Sequence, residues 1–161
     1  MNTLKTSVIS LMLITYGLIF SIAETNFAYA DEKSETAKVV FHADYANPQR
    51  MSAMLTSIFN MVTTYENEFM EYDIRIVFLS HGIQFLTHDR LKGTPFEVDN
   101  KQAKLREDLI TRLITLHDMQ NINLSLCDIT RQAIGLDKKK LIPGVTIVTS
   151  GVVEIAKLQS Q

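Results

Sequence analysis

The sequence predicts an α/β fold, a small doubly wound domain with a mostly parallel sheet of about four strands and helices on both faces, of the flavodoxin or Rossmann type. Two observations support this prediction. Short apolar runs typical of buried strands recur along the chain, and segments with the apolar period of a helix alternate with them. Strands that alternate with helices are joined by right-handed crossovers, which make the sheet parallel.

The composition excludes several classes of function. The 161 residues carry 16 Lys and Arg against 18 Asp and Glu, a formal net charge of −2. Proteins that bind nucleic acids usually have a basic surplus, so we expect no nucleic-acid partner. The single cysteine, Cys127, excludes an intramolecular disulfide, a four-cysteine zinc site and a CxxC redox pair. The sequence contains neither a GxGxxG motif nor a P-loop motif, and we predict no cofactor.

The first 30 residues have the pattern of a signal peptide. Lys5 gives a positive start, residues 8–23 are largely apolar, and residues 28–30 read Ala-Tyr-Ala, the small-x-small pattern that a signal peptidase cleaves. We expect cleavage after Ala30, a single α/β domain over residues 31–161, and a periplasmic or secreted protein that leaves the membrane after cleavage. The alternative is an uncleaved membrane anchor.

Residues 38–42 form the first predicted strand, because the run is short, β-branched and aromatic. A helix follows, with Asn47 as its N-cap and Pro48 in its first position. Seven residues of this helix fall on one face and are predicted to be core: Met51, Met54, Leu55, Ile58, Met61, Val62 and Tyr65.

The second predicted strand covers residues 74–79, a nearly continuous apolar run typical of a strand that is buried on both faces. Residues 82–86 predict a short helical turn, and residues 88–104 predict a long surface loop. The next helix covers residues 105–119, and its predicted buried stripe consists of Leu105, Leu109, Ile110, Leu113, Ile114 and Leu116.

The rest of the chain predicts two strands and two helices. A third strand is expected over residues 122–126, a brief helix over 129–134, a fourth strand over 145–149 and a final helix over 151–161. Ser150 is the expected N-cap of the final helix.

Polar residues stand at the carboxyl ends of the predicted strands, where open parallel sheets bind ligands. His42 ends the first strand, His81 follows the second, and Cys127 follows the third. Cys127 shares the more polar face of its strand with Asn123 and Ser125. The helix that follows should present backbone N–H groups and a dipole that stabilise a thiolate.

Cys127 is therefore a candidate reactive thiol, and the alternative is a buried structural cysteine. Arg131 favours the thiolate form, whereas the neighbouring Asp128 disfavours it. His42 and His81 have three open interpretations: an acid or base for the thiol, two ligands of a metal site completed by Cys127, or histidines that cap strand ends by hydrogen bonds. Our prediction is that the chain has no metal site.

Several segments together resemble the DsrE/DsrF-like family, and the resemblance covers most of residues 31–161. The segments are residues 122–136, 141–145 and 148–159, the first strand with His42, the helix with Asn60, and the turn His81-Gly82-Ile83. The resemblance implies a DsrE-like α/β fold and a homo-oligomer, either a trimer or a hexamer.

The resemblance also implies a function. Several members of the family carry sulfur as a persulfide on a cysteine at a strand end, and Cys127 matches that position. The implied function is an exported sulfur carrier that accepts sulfane sulfur on Cys127 and passes it to the thiol of a partner protein. His42, His81 and Arg131 are weaker candidates for tuning the thiol. The alternative is a non-catalytic oligomeric module that binds a small ligand or a protein, with a structural Cys127; whether the protein is an enzyme is left open.

Overall fold

The computed structural model describes residues 36–161, so the predicted signal peptide lies outside the described residues. Within them, four strands form one sheet: β1 (Ala37–Ala43), β2 (Tyr72–Phe78), β3 (Asn123–Cys127) and β4 (Val145–Val148). Every pair is parallel, and the order is sequential, β1-β2-β3-β4. The predicted α/β fold with a four-stranded parallel sheet is confirmed.

Helices connect the strands and follow the last one. In the described part of the chain they are α1 (Pro48–Asn67), α2 (Ala103–Gln120), α3 (Asp128–Ala133), α4 (Gly151–Gln159) and the 3-10 helices Ser80–Leu86, Asn100–Gln102 and Lys138–Lys140. The start of α1 agrees with the prediction, because the Asn47 side chain accepts a hydrogen bond from the N–H of Arg50 at 2.8 Å and Pro48 is the first helical residue. No helix among residues 36–161 is long and apolar enough to cross a membrane.

One face of the sheet packs against α1 and α2 and forms the main core. Alternate residues of β2 and β3 supply its strand side, with Ile76 opposite Leu124 and Phe78 opposite Leu126. The predicted helical faces supply the other side, and these helix residues are fully or almost fully buried: Met51, Leu55, Ile58, Val62, Leu109, Ile110, Leu113 and Leu116. The apolar periodicity of the sequence therefore located most of the core.

The opposite face of the sheet is more polar and packs against α4, which contacts β1, β2 and β3. Near the amino ends of the strands this face carries an ion pair between Arg75 and Asp73, with Nη2 and Oδ2 2.8 Å apart. Near the carboxyl ends it carries Ser125 and Cys127, both buried. The short α4 thus covers a face on which the thiol is one of the buried groups.

The predicted buried position of Leu105 is wrong. Leu105 is exposed, and the next residue, Arg106, is only 2% exposed. The guanidinium of Arg106 donates hydrogen bonds to the carbonyl oxygens of Gln84, Thr87 and Asp89, with lengths of 2.7 Å to Gln84 and 2.9 Å to Asp89. These bonds offset the cost of burying the charge and turn the helix so that arginine, not leucine, faces inward.

The predicted surface loop over residues 88–104 is shorter than expected and is anchored to the domain. The 3-10 helix at Asn100 and then α2 at Ala103 begin inside the predicted range. Leu91 and Val98 of the loop are buried in the structure. An isolated antiparallel bridge between Thr87 and Leu141 fastens the start of this segment.

We expect Arg106→Met to lower the free energy of unfolding by about 2–4 kcal/mol, because the buried carbonyl oxygens lose a charged donor. Urea denaturation followed by circular dichroism measures the change. The matched control is Arg112→Met on the same helix, where the exposed guanidinium donates to Ser52 and Thr56. That substitution should cost less than about 1 kcal/mol, and equal losses for the two variants would contradict the role assigned to Arg106.

Candidate functional site

The candidate site lies at the junction of β3 and α3. Cys127 is the last residue of β3 and also the N-cap of α3, with an extended backbone (φ −62°, ψ 118°). It pairs with Val148 of β4, and the chain then enters α4 at Gly151. Because the strands are parallel and adjacent, the N-termini of α3 and α4 both lie at this thiol.

The Cys127 side chain is buried, with the residue 4% exposed. Burial raises the pKa of the thiol, but hydrogen bonds from the backbone N–H of Gly151, from the N–H and hydroxyl of Thr130 and from the N–H of Ile129 oppose it. The net effect holds the pKa below the ordinary value for cysteine. A cysteine that only fills apolar space has a raised pKa, so this environment favours a nucleophilic thiolate.

Thr130 links the site to the end of β2. The residue is 9% exposed, and its hydroxyl oxygen accepts a hydrogen bond from the N–H of Ser80 at 3.0 Å. The sequence interpretation missed Thr130. One local signal was available: Thr130 is the third helical residue after Cys127. A side chain at that helical position can reach back to the N-cap residue.

The two candidate histidines are exposed. His42 lies at the end of β1, with Nε2 4.0 Å from a carboxylate oxygen of Asp44. The His81 ring packs edge-on against Phe96 with centroids 5.1 Å apart, and its Nδ1 lies 3.2 Å from the hydroxyl of Ser80. His81 directly follows Ser80, the residue whose N–H donates to Thr130. The roles predicted for both histidines stay predictions.

Arg131 and Asp128 form an ion pair beside the thiol. Arg131 Nε lies 2.6 Å from Asp128 Oδ1, and Nη1 donates to the carbonyl of Leu136 at 2.7 Å. The hydrogen bond from Arg131 is the main reason that the pKa of Asp128 is lowered. The charges of Arg131 and Asp128, which were predicted to have opposite effects on the Cys127 thiolate, thus partly neutralise each other. A direct effect of Arg131 on the thiol stays a prediction.

Among residues 36–161, no three His, Cys, Asp or Glu side chains converge as a set of ligands. His42, His81 and Cys127 each have the separate surroundings described above.

The chain is similar to a known family and to two solved structures. The family described as "DsrE/DsrF-like family" matches residues 17–161. MTH1491, a protein of unknown function from Methanobacterium thermoautotrophicum, has a similar solved structure: the TM-score is 0.57, the identity is 24%, and the match covers 77% of this chain and 92% of that one. The ychN protein of E. coli matches with a TM-score of 0.47 and 24% identity over 78% of this chain and 94% of its own. No curated protein matches the chain significantly.

The lowered pKa predicts a pH-dependent contribution of Cys127 to stability. The unfolded thiol has a pKa of about 8.5, and the folded thiol has a lower one. Between these two values the unfolded state binds more protons, so the contribution grows as the pH rises, is complete above the unfolded pKa and is lost as the pH falls through the folded pKa.

We therefore expect the free energy of unfolding of the wild type, relative to Cys127→Ser, to increase as the pH rises toward the unfolded thiol pKa of about 8.5 and to level off above it. Urea denaturation under reducing conditions at several pH values measures this difference. A difference that stays constant with pH would contradict the thiolate assignment.

Proposed function

The chain belongs to the DsrE/DsrF-like family, which implies a function of the sulfur-relay type, and from this premise we propose that it carries sulfane sulfur as a persulfide on Cys127. The observation that supports this role most directly is the set of donors around the thiol. Burial alone raises the pKa of the thiol, yet the backbone N–H groups at the starts of α3 and α4 and the hydroxyl of Thr130 hold that pKa below its ordinary value. A cysteine that only fills space needs none of these donors.

The proposed reaction has two displacement steps. The Cys127 thiolate attacks the terminal sulfur of a polysulfide, a new S–S bond forms, and the polysulfide leaves as an anion shortened by one sulfur. The thiolate of a partner protein then attacks the outer sulfur of the persulfide, and Cys127 leaves as a thiolate. A lowered pKa increases the thiolate fraction for the first step and improves the leaving group in the second.

Exposed apolar side chains next to the thiol support docking of a partner protein. They are Ile129, 62% exposed, Val152, 65% exposed, and Val153, 51% exposed. The backbone N–H groups of Ile129 and Gly151 both lower the pKa of the thiol, so Ile129 and Val152 lie near it. Burial of such a surface against a partner would bring the two thiols together and exclude water.

The proposal includes export and self-association. The leader pattern of residues 1–30 supports a periplasmic or secreted location. Within the described sheet, β1 and β4 each have a strand neighbour on one side only, and open strand edges favour association with another copy. We propose a homo-oligomer, a trimer or hexamer, on this basis and on the family resemblance.

The burial of Cys127 favours a second candidate function. With the residue only 4% exposed, a sulfur donor needs either a local opening or a partner to reach the thiol. If neither gives access, the protein is a non-catalytic oligomeric module that binds a small ligand or a protein, and Cys127 is structural.

We expect the protein to gain the mass of one sulfur atom after incubation with polysulfide, and a reductant should remove it. Intact-mass measurement with peptide mapping should place the adduct on Cys127. The matched control, Cys127→Ser, should fold and gain no sulfur. If the folded protein neither gains sulfur nor reacts with an alkylating reagent while the unfolded chain alkylates readily, the binding-module function is correct.

Export is tested separately. When the full chain is expressed in a Gram-negative bacterium, we expect it in the periplasmic fraction with Asp31 as its first residue, because Ala28 and Ala30 fit the signal peptidase. N-terminal sequencing and intact mass identify the cleavage point. Replacing both alanines by leucine should block cleavage, and an uncleaved wild-type chain in the cytoplasm or membrane would contradict export.

A further inference from the structure

We propose that two copies of this chain pair through β4, antiparallel and around a two-fold axis, so that their sheets join into one sheet of eight strands. This contact supplies the self-association included in the proposed function, on which it rests, and it does not depend on the chemistry of Cys127. An open and uncharged strand edge, a groove beside that edge and two charges placed for reciprocal contact carry the inference.

Of the two open edges of the described sheet, the β4 edge is the one suited to pairing. Within residues 36–161, β4 has β3 on one side and no strand on the other. Its four residues are Val, Thr, Ile and Val, which have a high strand propensity. The sequence carries no charged residue over positions 141–153. The opposite edge, β1, exposes Lys38 and His42, and a lysine on an edge strand disfavours pairing with another chain.

A groove of about 330 Å³ lies between the end of β4 and α4. Ile147 and Val148 of the strand and Val153 of the helix give it an apolar lining, and Val153 is 51% exposed. Glu154 and Lys157 of α4 also line it. A monomer leaves this apolar surface in water, whereas a second strand beside β4 would cover it.

Glu154 and Lys157 are available for a contact between two copies. Neither side chain belongs to an ion pair formed within residues 36–161. They are three positions apart on α4, so they project from the same side of the helix. Arg75 is committed to Asp73, which is the main cause of its raised pKa, with Glu154 a minor one. An acid and a base side by side are an arrangement that a symmetric contact can pair twice.

The direction of α4 sets the level of these two charges along β4. The helix begins shortly after β4 ends, and the carbonyl oxygen of Gln161 beyond its other end lies 3.5 Å from Nζ of Lys38 on β1. The helix therefore runs back toward the amino ends of the strands. The midpoint of Glu154 and Lys157 lies about 4.5 residues, or about 7 Å, into the helix. A strand covers this distance in about two residues, which places the midpoint near the level of Ile147.

A two-fold axis at Ile147 satisfies both the strands and the charges. In an antiparallel pair, side chains that lie directly opposite each other point to the same face of the sheet. An axis perpendicular to the sheet keeps each side chain on its face, so each copy presents the same residue at the axis. The same rotation places Glu154 of each copy opposite Lys157 of the other, which forms two reciprocal ion pairs. Parallel pairing would put the two α4 helices on opposite faces and separate these charges.

The contact leaves the surface near the thiol available to another protein. Ile129 and Val152, proposed above to dock a partner, are not among the residues that line the groove. Cys127 lies on β3, one strand in from the joined edge. A two-fold contact is compatible with a hexamer but not with a trimer alone, so it also separates the two assemblies that the family resemblance implies.

A cysteine at the proposed axis tests the register. Ile147→Cys is made in the full chain together with Cys127→Ser, and its two Cα atoms should lie about 5 Å apart, within the range of a disulfide. We expect oxidised glutathione to give mostly disulfide-linked dimers on non-reducing electrophoresis. The matched control is Thr149→Cys in the same background, which is more exposed but whose Cα atoms should lie about 13 Å apart. Equal cross-linking of the two variants would overturn the proposal.

Charge reversal tests the ion pairs. Analytical ultracentrifugation over a range of concentrations gives the dissociation constant of the wild type. We expect Glu154→Lys or Lys157→Glu alone to raise this constant about tenfold or more, because each reversal replaces two attractions by two repulsions. The double variant, which carries both reversals, restores the pairs with the charges exchanged and should stay within about threefold of the wild type.

Three further results would overturn the proposal: a wild type that stays a monomer or forms only a trimer, association that neither reversal weakens, or a double variant as weak as the single ones. Circular dichroism checks the fold of each variant, and the charge reversals decide the question if Ile147→Cys does not fold. Polysulfide loading separates this contact from the sulfur-carrier function. If the wild type pairs through β4 and takes up no sulfur, only the sulfur-carrier function fails; if sulfur is loaded and folded Ile147→Cys gives no linked dimers, only the β4 contact fails.

Discussion

The parallel pairing of β3 with β2 on one side and β4 on the other is the constraint on which the site depends. It brings the carboxyl ends of three strands to one edge, so that the turn at Ser80, the start of α3 and the start of α4 converge at Cys127. Each of these segments is far from the others in sequence. Their convergence needs no functional specialisation of the fold, because every parallel α/β sheet gathers its strand ends in this way.

The donors around Cys127 are uncharged, and this has a chemical consequence. A buried thiolate can be stabilised by a cation or by dipoles, and here the groups that lower the pKa of the thiol are backbone N–H groups and the hydroxyl of Thr130. A buried cation would lose its partner whenever the sulfur became neutral, at a cost of several kcal/mol. Dipolar donors tolerate both states with a smaller penalty. The arrangement therefore suits a sulfur atom that changes its charge during a transfer cycle.

The sequence predicted those features that have a strong local signal. The strands, the N-cap at Asn47 and the position of Cys127 at a strand end follow from β-branched runs, capping chemistry and alternation. Arg106 had no such signal, because an arginine is buried only when carbonyl oxygens from a distant segment surround it. The hydrogen bond between Ser80 and Thr130 had no local signal either, since the two residues lie 50 positions apart in the sequence. Local patterns reveal which face of an element is apolar, but not which distant polar groups meet on it.

Arg106 connects the stability of the domain with the surroundings of the thiol. Its guanidinium holds the backbone at Gln84, Thr87 and Asp89, which fixes the start of the segment leading to Phe96. The ring of Phe96 packs on His81, whose neighbour Ser80 binds Thr130. The long segment after β2 is thus part of the scaffold that holds the turn against α3. The burial of a charge in α2 is unfavourable by itself, and the hydrogen bonds that offset this cost are the same ones that hold the segment after β2 in place.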